Sequence, residues 1–240
     1  MERCLGHRNF ETVLLYLDYI IIYSKTYEDH LHHLAEVFQI LTQHGLKVKP
    51  SKCHLLQPSV KYLGHVVSAH GIEPDPENIA AVYDWPTPST VRDIKSFLGF
   101  ASYYRRFIPK FAQLAAPLQE LLRGLPKESQ RSRVAIEWMA EREAAFQMLK
   151  QRLTEPPVLG YPDYSLPFTL YTDASKQGLG AVLSQLQNGT ERVIAYASRS
   201  LREPEQNDQN YSSIKLEFLA DVTAIYGGCH NISSKSMAIA

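Results

Sequence analysis

Residues 166–197 read LPFTLYTDASKQGLGAVLSQLQNGTERVIAYA. Aromatic and β-branched residues recur through three short runs here, and turn residues punctuate them. The runs predict a strand over Leu166–Thr172 ending at Asp173, a second over Gly180–Gln187 and a third over Arg192–Ala197. Between the last two stands Asn188-Gly189, the pair best able to take the two positive φ angles of a tight hairpin turn. A loop from Glu203-Pro204 to Asn210 follows, and then an apolar helix over Tyr211–Ile225, with Glu217 set among Ile214, Phe218 and Leu219. Three meandering strands followed by a helix define the C-terminal part of an α+β chain.

Working back towards the N-terminus, Pro156-Pro157 breaks an amphipathic helix over Glu137–Leu153 that carries Trp138, Ala145, Phe146, Leu149 and Leu153. Leu125–Arg133 is polar, contains Pro126 and has no periodicity, so it reads as a linker. Residues 74–122 are helical in pattern. Asp75-Pro76-Glu77 opens one helix, with Asp75 as N-cap, and Trp85-Pro86 stops it. Thr90 and Asp93 form a capping box for the next, whose apolar stripe is Val91, Ile94, Phe97 and Leu98. Further upstream, a strand pair is expected at Val60–Leu63 and His65–Ser68, closing at Ala69-His70-Gly71. A helix is expected over Glu28–His44, with Leu31, Leu34, Phe38 and Leu41 on its buried face and Gly45 beyond its end. Glu11–Ser24, ETVLLYLDYIIIYS, has the density of a buried hairpin with one acid, Asp18, inside it.

The 240 residues carry 25 basic and 25 acidic side chains and are 45% hydrophobic, enough apolar material for a core. No run of 18 apolar residues exists, and the opening Met1-Glu2-Arg3-Cys4 lacks an apolar leader region, so the expected location is intracellular, cytoplasmic or nuclear, with no membrane partner. Cys4, Cys53 and Cys229 form neither a disulfide framework nor a zinc pattern. His30, His32 and His33 read as a solvated helix face, and Cys53 as a structural thiol. The neutral total conceals one basic stretch: residues 92–133 hold nine basic side chains against three acidic ones, interleaved with Phe97, Phe100, Tyr103, Tyr104, Phe107 and Phe111. Guanidinium groups beside aromatic rings suit a phosphate backbone.

Several motifs carry a family resemblance. Tyr16-Leu17-Asp18, Lys52-Cys53, Tyr62-Leu63-Gly64-His65, Trp85-Pro86, Ser96-Phe97-Leu98-Gly99 and Tyr103-Tyr104-Arg105-Arg106-Phe107 stand in an order that resembles the polymerase part of a gypsy-type retrotransposon polyprotein. Tyr171-Thr172-Asp173-Ala174-Ser175, Gly178–Leu183, Asn210-Tyr211-Ser212 and Glu217 resemble the start of its ribonuclease H domain. The resemblance implies the end of a reverse-transcriptase palm over 1–73, thumb and connection helices over 74–124, a linker and helix over 125–155, and a partial ribonuclease H-like domain over 156–226. The tail 227–240 resembles nothing in the family.

In such proteins, carboxylates hold pairs of Mg2+ ions that bridge the attacking and leaving oxygens of phosphoryl transfer. The resemblance carries this role to Asp18 in the palm and to Asp173 and Glu217 in the ribonuclease H-like part, and nucleic-acid contacts to Arg105, Arg106, Gly64 and His65. The family hairpin reads Y-x-D-D; here its last position is Tyr19, whose phenol is a poor ligand for Mg2+. The remaining acids of both sites are expected outside the chain. The expectation is a catalytically incompetent reverse transcriptase/ribonuclease H fragment that binds RNA–DNA hybrid or duplex weakly. It would self-associate through the open edge of the Leu166–Thr172 strand. An active ribonuclease H completed by another chain, and a domesticated protein-interaction scaffold, are the alternatives.

Overall fold

A computed structural model describes residues 2–5, 12–17, 19–123, 135–206 and 213–229. The chain divides into two compact units, Met1–Tyr62 and Leu63–Ala240. Among the described residues no helix is long and apolar enough to cross a membrane.

The first unit contains α1 (Glu2–Leu5), the antiparallel hairpin β1 (Val13–Tyr16) and β2 (Tyr19–Ile22), α2 (Tyr27–Gln43) and β3 (Ser59–Tyr62). Thr26 caps α2 by accepting a hydrogen bond from the Asp29 N–H at 3.1 Å. At the other end Gly45 takes φ 69°, and the Leu46 N–H donates to the Leu41 carbonyl at 2.9 Å. The buried face of α2 is Leu34, Val37 and Leu41, whereas Leu31 and Phe38 are exposed, contrary to the stripe expected from sequence. The reason lies in what the helix meets. Val37 and Leu41 close on Leu5 and Val13, and a core that small buries a narrower arc than the apolar letters offer.

The second unit begins with β4 (His65–Ser68), which pairs antiparallel with a strand missed in the sequence, β5 (Gly71–Pro74). Gly71 is the turn's far side rather than its end. It takes φ 140°, and a Cβ there would lie 2.2 Å from the Leu159 carbonyl oxygen. That approach lets Ile72 and Leu159 exchange both backbone hydrogen bonds, at 2.8 and 2.9 Å. α3 (Pro76–Tyr83) starts at the Asp75 cap, and α4 (Val91–Tyr103) at the Thr90/Asp93 capping box, both as expected. Hydrogen bonds from Thr90 and Ser89 lower the Asp93 pKa, favouring the carboxylate that the box requires. A 3₁₀ turn (Arg105–Phe107), α5 (Phe111–Glu120) and α6 (Ala140–Thr154) complete the helical part. The expected linker Leu125–Arg133 lies outside the described residues.

Strands β6 (Thr169–Ser175), β7 (Gly178–Gln187) and β8 (Thr190–Ser200) form the antiparallel meander, in that order, and α7 (Ser213–Cys229) follows. β6 begins and ends three residues later than the sequence suggested. Its expected first residue is held outside the ladder: the buried Gln185 side chain donates to the carbonyls of Asp163 and Leu166, at 2.8 and 3.1 Å, and accepts from the Asp163 N–H at 2.8 Å. At the far end the ladder continues through Asp173↔Gly180 to Ser175↔Gly178. Seventeen buried residues from α3 to α6 and the Leu159 bridge make one core, with Val193 and Tyr196 of β8 packed against it. A smaller cluster, Leu179, Leu201, Leu216 and Ala220, seats α7 on the sheet.

Candidate nucleic-acid interface and carboxylate site

The basic stretch is anchored by its rings. Phe97, Tyr104, Phe107 and Ile108 are buried, while Arg92, Arg105 and Arg106 are exposed. The 3₁₀ turn after α4 makes this division, since three consecutive residues in so tight a turn cannot share one face. Phe107 goes in and the two arginines stay out. The Arg106 guanidinium lies 5.9 Å from the Phe107 ring centroid. Partial desolvation of the guanidinium by the surrounding protein lowers its pKa, though arginine remains protonated in proteins.

Gly64 and His65 sit beneath this surface. Leu63 and Gly64 both have positive φ, 48° and 72°, as the turn leading into β4 demands. The Tyr104 hydroxyl donates to the Gly64 carbonyl at 3.0 Å, Tyr103 donates to Leu63, and the Asn78 amide donates to Tyr104 at 3.2 Å. Burial raises the Tyr104 pKa, so the phenol stays a donor. The His65 ring is stacked 5.5 Å from Phe107 and lies 5.4 and 5.6 Å from Tyr103 and Tyr104. Its Nδ1 meets the Leu63 carbonyl at 2.8 Å. A side chain at position 64 would press on the Tyr104 hydroxyl at 3.0 Å.

Asp18 lies outside the described residues. Its neighbours Leu17 and Tyr19 are exposed, and the Tyr19 ring meets Tyr62 edge-on at 6.2 Å. The Tyr62 phenol is raised by burial and then by Tyr16.

Asp173 stands on β6 and Glu217 on the exposed side of α7. Strand alternation sends Thr172 and Ala174 to one face and Asp173 and Ser175 to the other. The first face meets α7: Ala174 packs on its cluster and the Thr172 hydroxyl donates to Asp221 at 2.6 Å. The second meets α5. The Lys110 ammonium is 2.6 Å from the Asp173 carboxylate, and the Gln113 amide donates to the Ser175 hydroxyl at 3.0 Å. α5 has no side-chain cap of its own, and the Ser198 hydroxyl of β8 accepts from its Ala112 N–H at 2.9 Å instead. Lys110, Gln113 and Ser198 were all missed in the sequence. Gly178 and Gly180 carried no clear signal of them, since the tight neighbour at Gly178 is the Arg199 carbonyl of β8, 2.8 Å from where a Cβ would be. The stems of Gln113 and Lys110 lie over those two positions, 3.6 and 3.8 Å from where a Cβ would be. Among the described residues no group of three or more His, Cys, Asp or Glu side chains could hold a metal ion. With an ammonium already on Asp173, this arrangement does not fit a pair of Mg2+ ions.

Residues 2–67 match the family described as reverse transcriptase (RNA-dependent DNA polymerase), and residues 138–239 match the RNase H-like domain found in reverse transcriptase. The Pol polyprotein of transposon opus from Drosophila melanogaster is 41% identical over 214 residues, covering 88% of this chain and 21% of that protein. The corresponding gypsy polyprotein from the same organism is 39% identical, covering 88% of this chain and 20% of its own length. The chain belongs to the gypsy-type retrotransposon Pol family. It spans about a fifth of the length of these relatives. The Pol segment covers the end of the reverse transcriptase and the RNase H-like domain. The second match extends through 227–239, a stretch that the sequence reading set apart from the family. Among solved structures, the foamy viral protease-reverse transcriptase in complex with double-stranded DNA aligns over 99% of this chain and 40% of that one, with a TM-score of 0.84 and 22% identity. The same enzyme with an RNA/DNA hybrid aligns with a TM-score of 0.82 and 21% identity, over 99% and 31% of the two chains. The α+β fold, with its three-stranded meander and following helix, is therefore that of a reverse transcriptase.

Proposed function

We propose that this Pol segment binds nucleic-acid duplexes, RNA–DNA hybrid included, through the basic surface after α4, and that its palm hairpin does not catalyse polymerisation. The exposed pair Arg105-Arg106, held outward by buried Phe107, carries the binding part. Guanidinium groups fixed by a packed turn can pair with phosphates at little further entropic cost. That two structural neighbours are bound to double-stranded DNA and to hybrid supports the choice of ligand. Tyr19, exposed where the family hairpin has its second acid, carries the polymerase part: a neutral phenol does not hold a metal pair. In this reading residues 1–73 are palm, 74–124 thumb and connection, and 156–226 the RNase H-like part. Gly64 and His65 then support the binding surface from below. Asp173 and Glu217 match the family's metal acids by motif, but the Lys110 ammonium on Asp173 does not fit a pair of Mg2+ ions there.

Fluorescence anisotropy with a labelled hybrid tests the proposal. Affinity should fall in the non-specific range, about 10⁻⁴ to 10⁻⁶ M, and drop steeply with salt. Replacing Arg105 and Arg106 with Ala should reduce the slope of log K against log salt by up to about two. A salt-independent affinity, or an unchanged slope in the double variant, overturns the binding part. Nucleotide incorporation by the wild-type chain on a primed template overturns the other.

A further inference from the structure

The two tyrosines that precede the exposed arginines reach back to a single turn. Tyr103 is the last residue of α4 and Tyr104 its cap. The Tyr104 carbonyl accepts from the Phe107 N–H at 2.9 Å, so the turn carrying Arg105 and Arg106 hangs from this residue. Its side chain is fixed elsewhere. The Tyr103 hydroxyl donates to the Leu63 carbonyl and the Tyr104 hydroxyl to the Gly64 carbonyl at 3.0 Å, two successive peptide groups. Each carbonyl has a second partner: His65 Nδ1 at 2.8 Å on Leu63, and the Asp75 N–H at 2.9 Å on Gly64. The Asn78 amide of α3 donates to the Tyr104 hydroxyl at 3.2 Å, which leaves the phenol proton directed at Gly64. The two rings stand perpendicular, with centroids 4.9 Å apart. Leu63 holds φ 48°, a region that a leucine enters at a cost and keeps where its surroundings fix it.

We propose that Tyr103 and Tyr104 are positioning residues for duplex binding: their hydroxyls lock the Arg105-Arg106 turn onto the Leu63-Gly64 turn, and Asn78 orients the Tyr104 hydroxyl for that role. The inference rests on the arginine pair being the duplex-binding group. An arginine side chain is long and free to rotate, so the fold can fix only the backbone from which it starts. That backbone lies at the end of a helix, where chains fray. Two hydroxyls on two adjacent carbonyls tie the end down and fix its rotation about the helix axis, which a single bond would not. Without them Phe107 keeps its buried place and the fold survives, but the arginine turn must be ordered when the ligand arrives, and that ordering lowers affinity.

Tyr103→Phe and Tyr104→Phe each remove one oxygen and keep the ring. In the full chain, each should weaken binding of a labelled RNA–DNA hybrid about two- to fivefold, read by fluorescence anisotropy. Asn78→Ala should weaken it too, and should add nothing to Tyr104→Phe. The decisive readout is non-additivity. In a chain that already carries Arg105→Ala and Arg106→Ala, the tyrosine substitutions should change affinity no further, because they act only through the arginines. Should Tyr104→Phe fail to fold, Tyr103→Phe carries the same test, since its ring is 53% exposed and contributes little to the core. Wild-type affinity in the Phe variants overturns the positioning role. So does a loss of equal size with and without the arginines, which would mean that the tyrosines touch the nucleic acid themselves. If removing both arginines leaves affinity unchanged, the reading of them as the duplex-binding group falls instead.

Discussion

The hairpin β1–β2 and the stretch from α4 to α5 exchange the roles that their letters suggest. The hairpin is dense in apolar residues, yet Tyr16, Leu17 and Tyr19 are exposed, and among the described residues its unit buries only Leu5, Val13, Leu34, Val37 and Leu41. Residues 92–123 carry six basic side chains against two acidic ones, yet they supply Ile94, Phe97, Leu98, Tyr104, Phe107, Phe111 and Leu118 to the largest core among the described residues. Apolar density measures what could be buried. What is buried depends on how many elements converge. Around Phe97 several do: Trp85 lies 5.6 Å away and Phe146 of α6 4.6 Å, both edge-on.

The largest test of this contrast is a truncation in each place. Phe97→Ala removes a fully buried ring and should cost about 3–5 kcal/mol, enough to unfold the second unit or lower its melting temperature sharply. Ile21→Ala removes a half-buried side chain from the hairpin and should cost no more than about 1 kcal/mol, because little surrounds it. Thermal melts of the full chain, followed by near-ultraviolet circular dichroism, compare the two. Equal losses would mean that apolar density predicts the core after all.

A smaller effect should come from a polar residue inside the sheet. Gln185 is fully buried, and its amide satisfies the backbone of Asp163 and Leu166 on both donor and acceptor sides. Gln185→Leu keeps the volume but leaves those groups unpaired, which should cost about 1–3 kcal/mol. Amide hydrogen exchange should show the loss first at Asp163. Unchanged protection there would show that solvent already serves this loop.

What could be read in the sequence was local. Thr90 with Asp93, Asp75 before Pro76, Gly45 beyond α2 and Asn188-Gly189 each act within a few residues, so neighbouring letters suffice. What could not be read depends on remote partners. β5 exists because Gly71 lets the Leu159 backbone approach, and β6 starts late because Gln185 occupies Leu166. Gly64 and His65 are conspicuous letters, but the Tyr103 and Tyr104 hydroxyls that surround them come from the end of α4. The candidate acids followed the same rule: the motif around Asp173 was visible, and Lys110, which meets it, was not.

The smallest expected effect concerns a charge buried in the sheet unit. Glu205 is 8% exposed, and both nitrogens of the Arg199 fork reach it, at 2.7 and 3.0 Å. The Arg202 N–H also donates to it at 2.7 Å. These bonds, the Arg199 side chain first, lower its pKa in the folded chain. Unfolded, a glutamate titrates at about 4.3. A carboxyl whose pKa is depressed by folding stabilises the fold at pH values above its unfolded pKa, and that contribution fades as pH falls through the folded value. Glu205→Gln should therefore melt below wild type at neutral pH, by an amount smaller than for Gln185→Leu because Arg199 keeps 27% of its side chain in water. The gap should begin to narrow as pH falls below the unfolded value of about 4.3 and close once pH passes the lower folded pKa. A gap of the same size at pH 7 and pH 3 would mean that Glu205 acts by shape and hydrogen bonding alone, and that the charge buried beside β8 contributes nothing to holding it there.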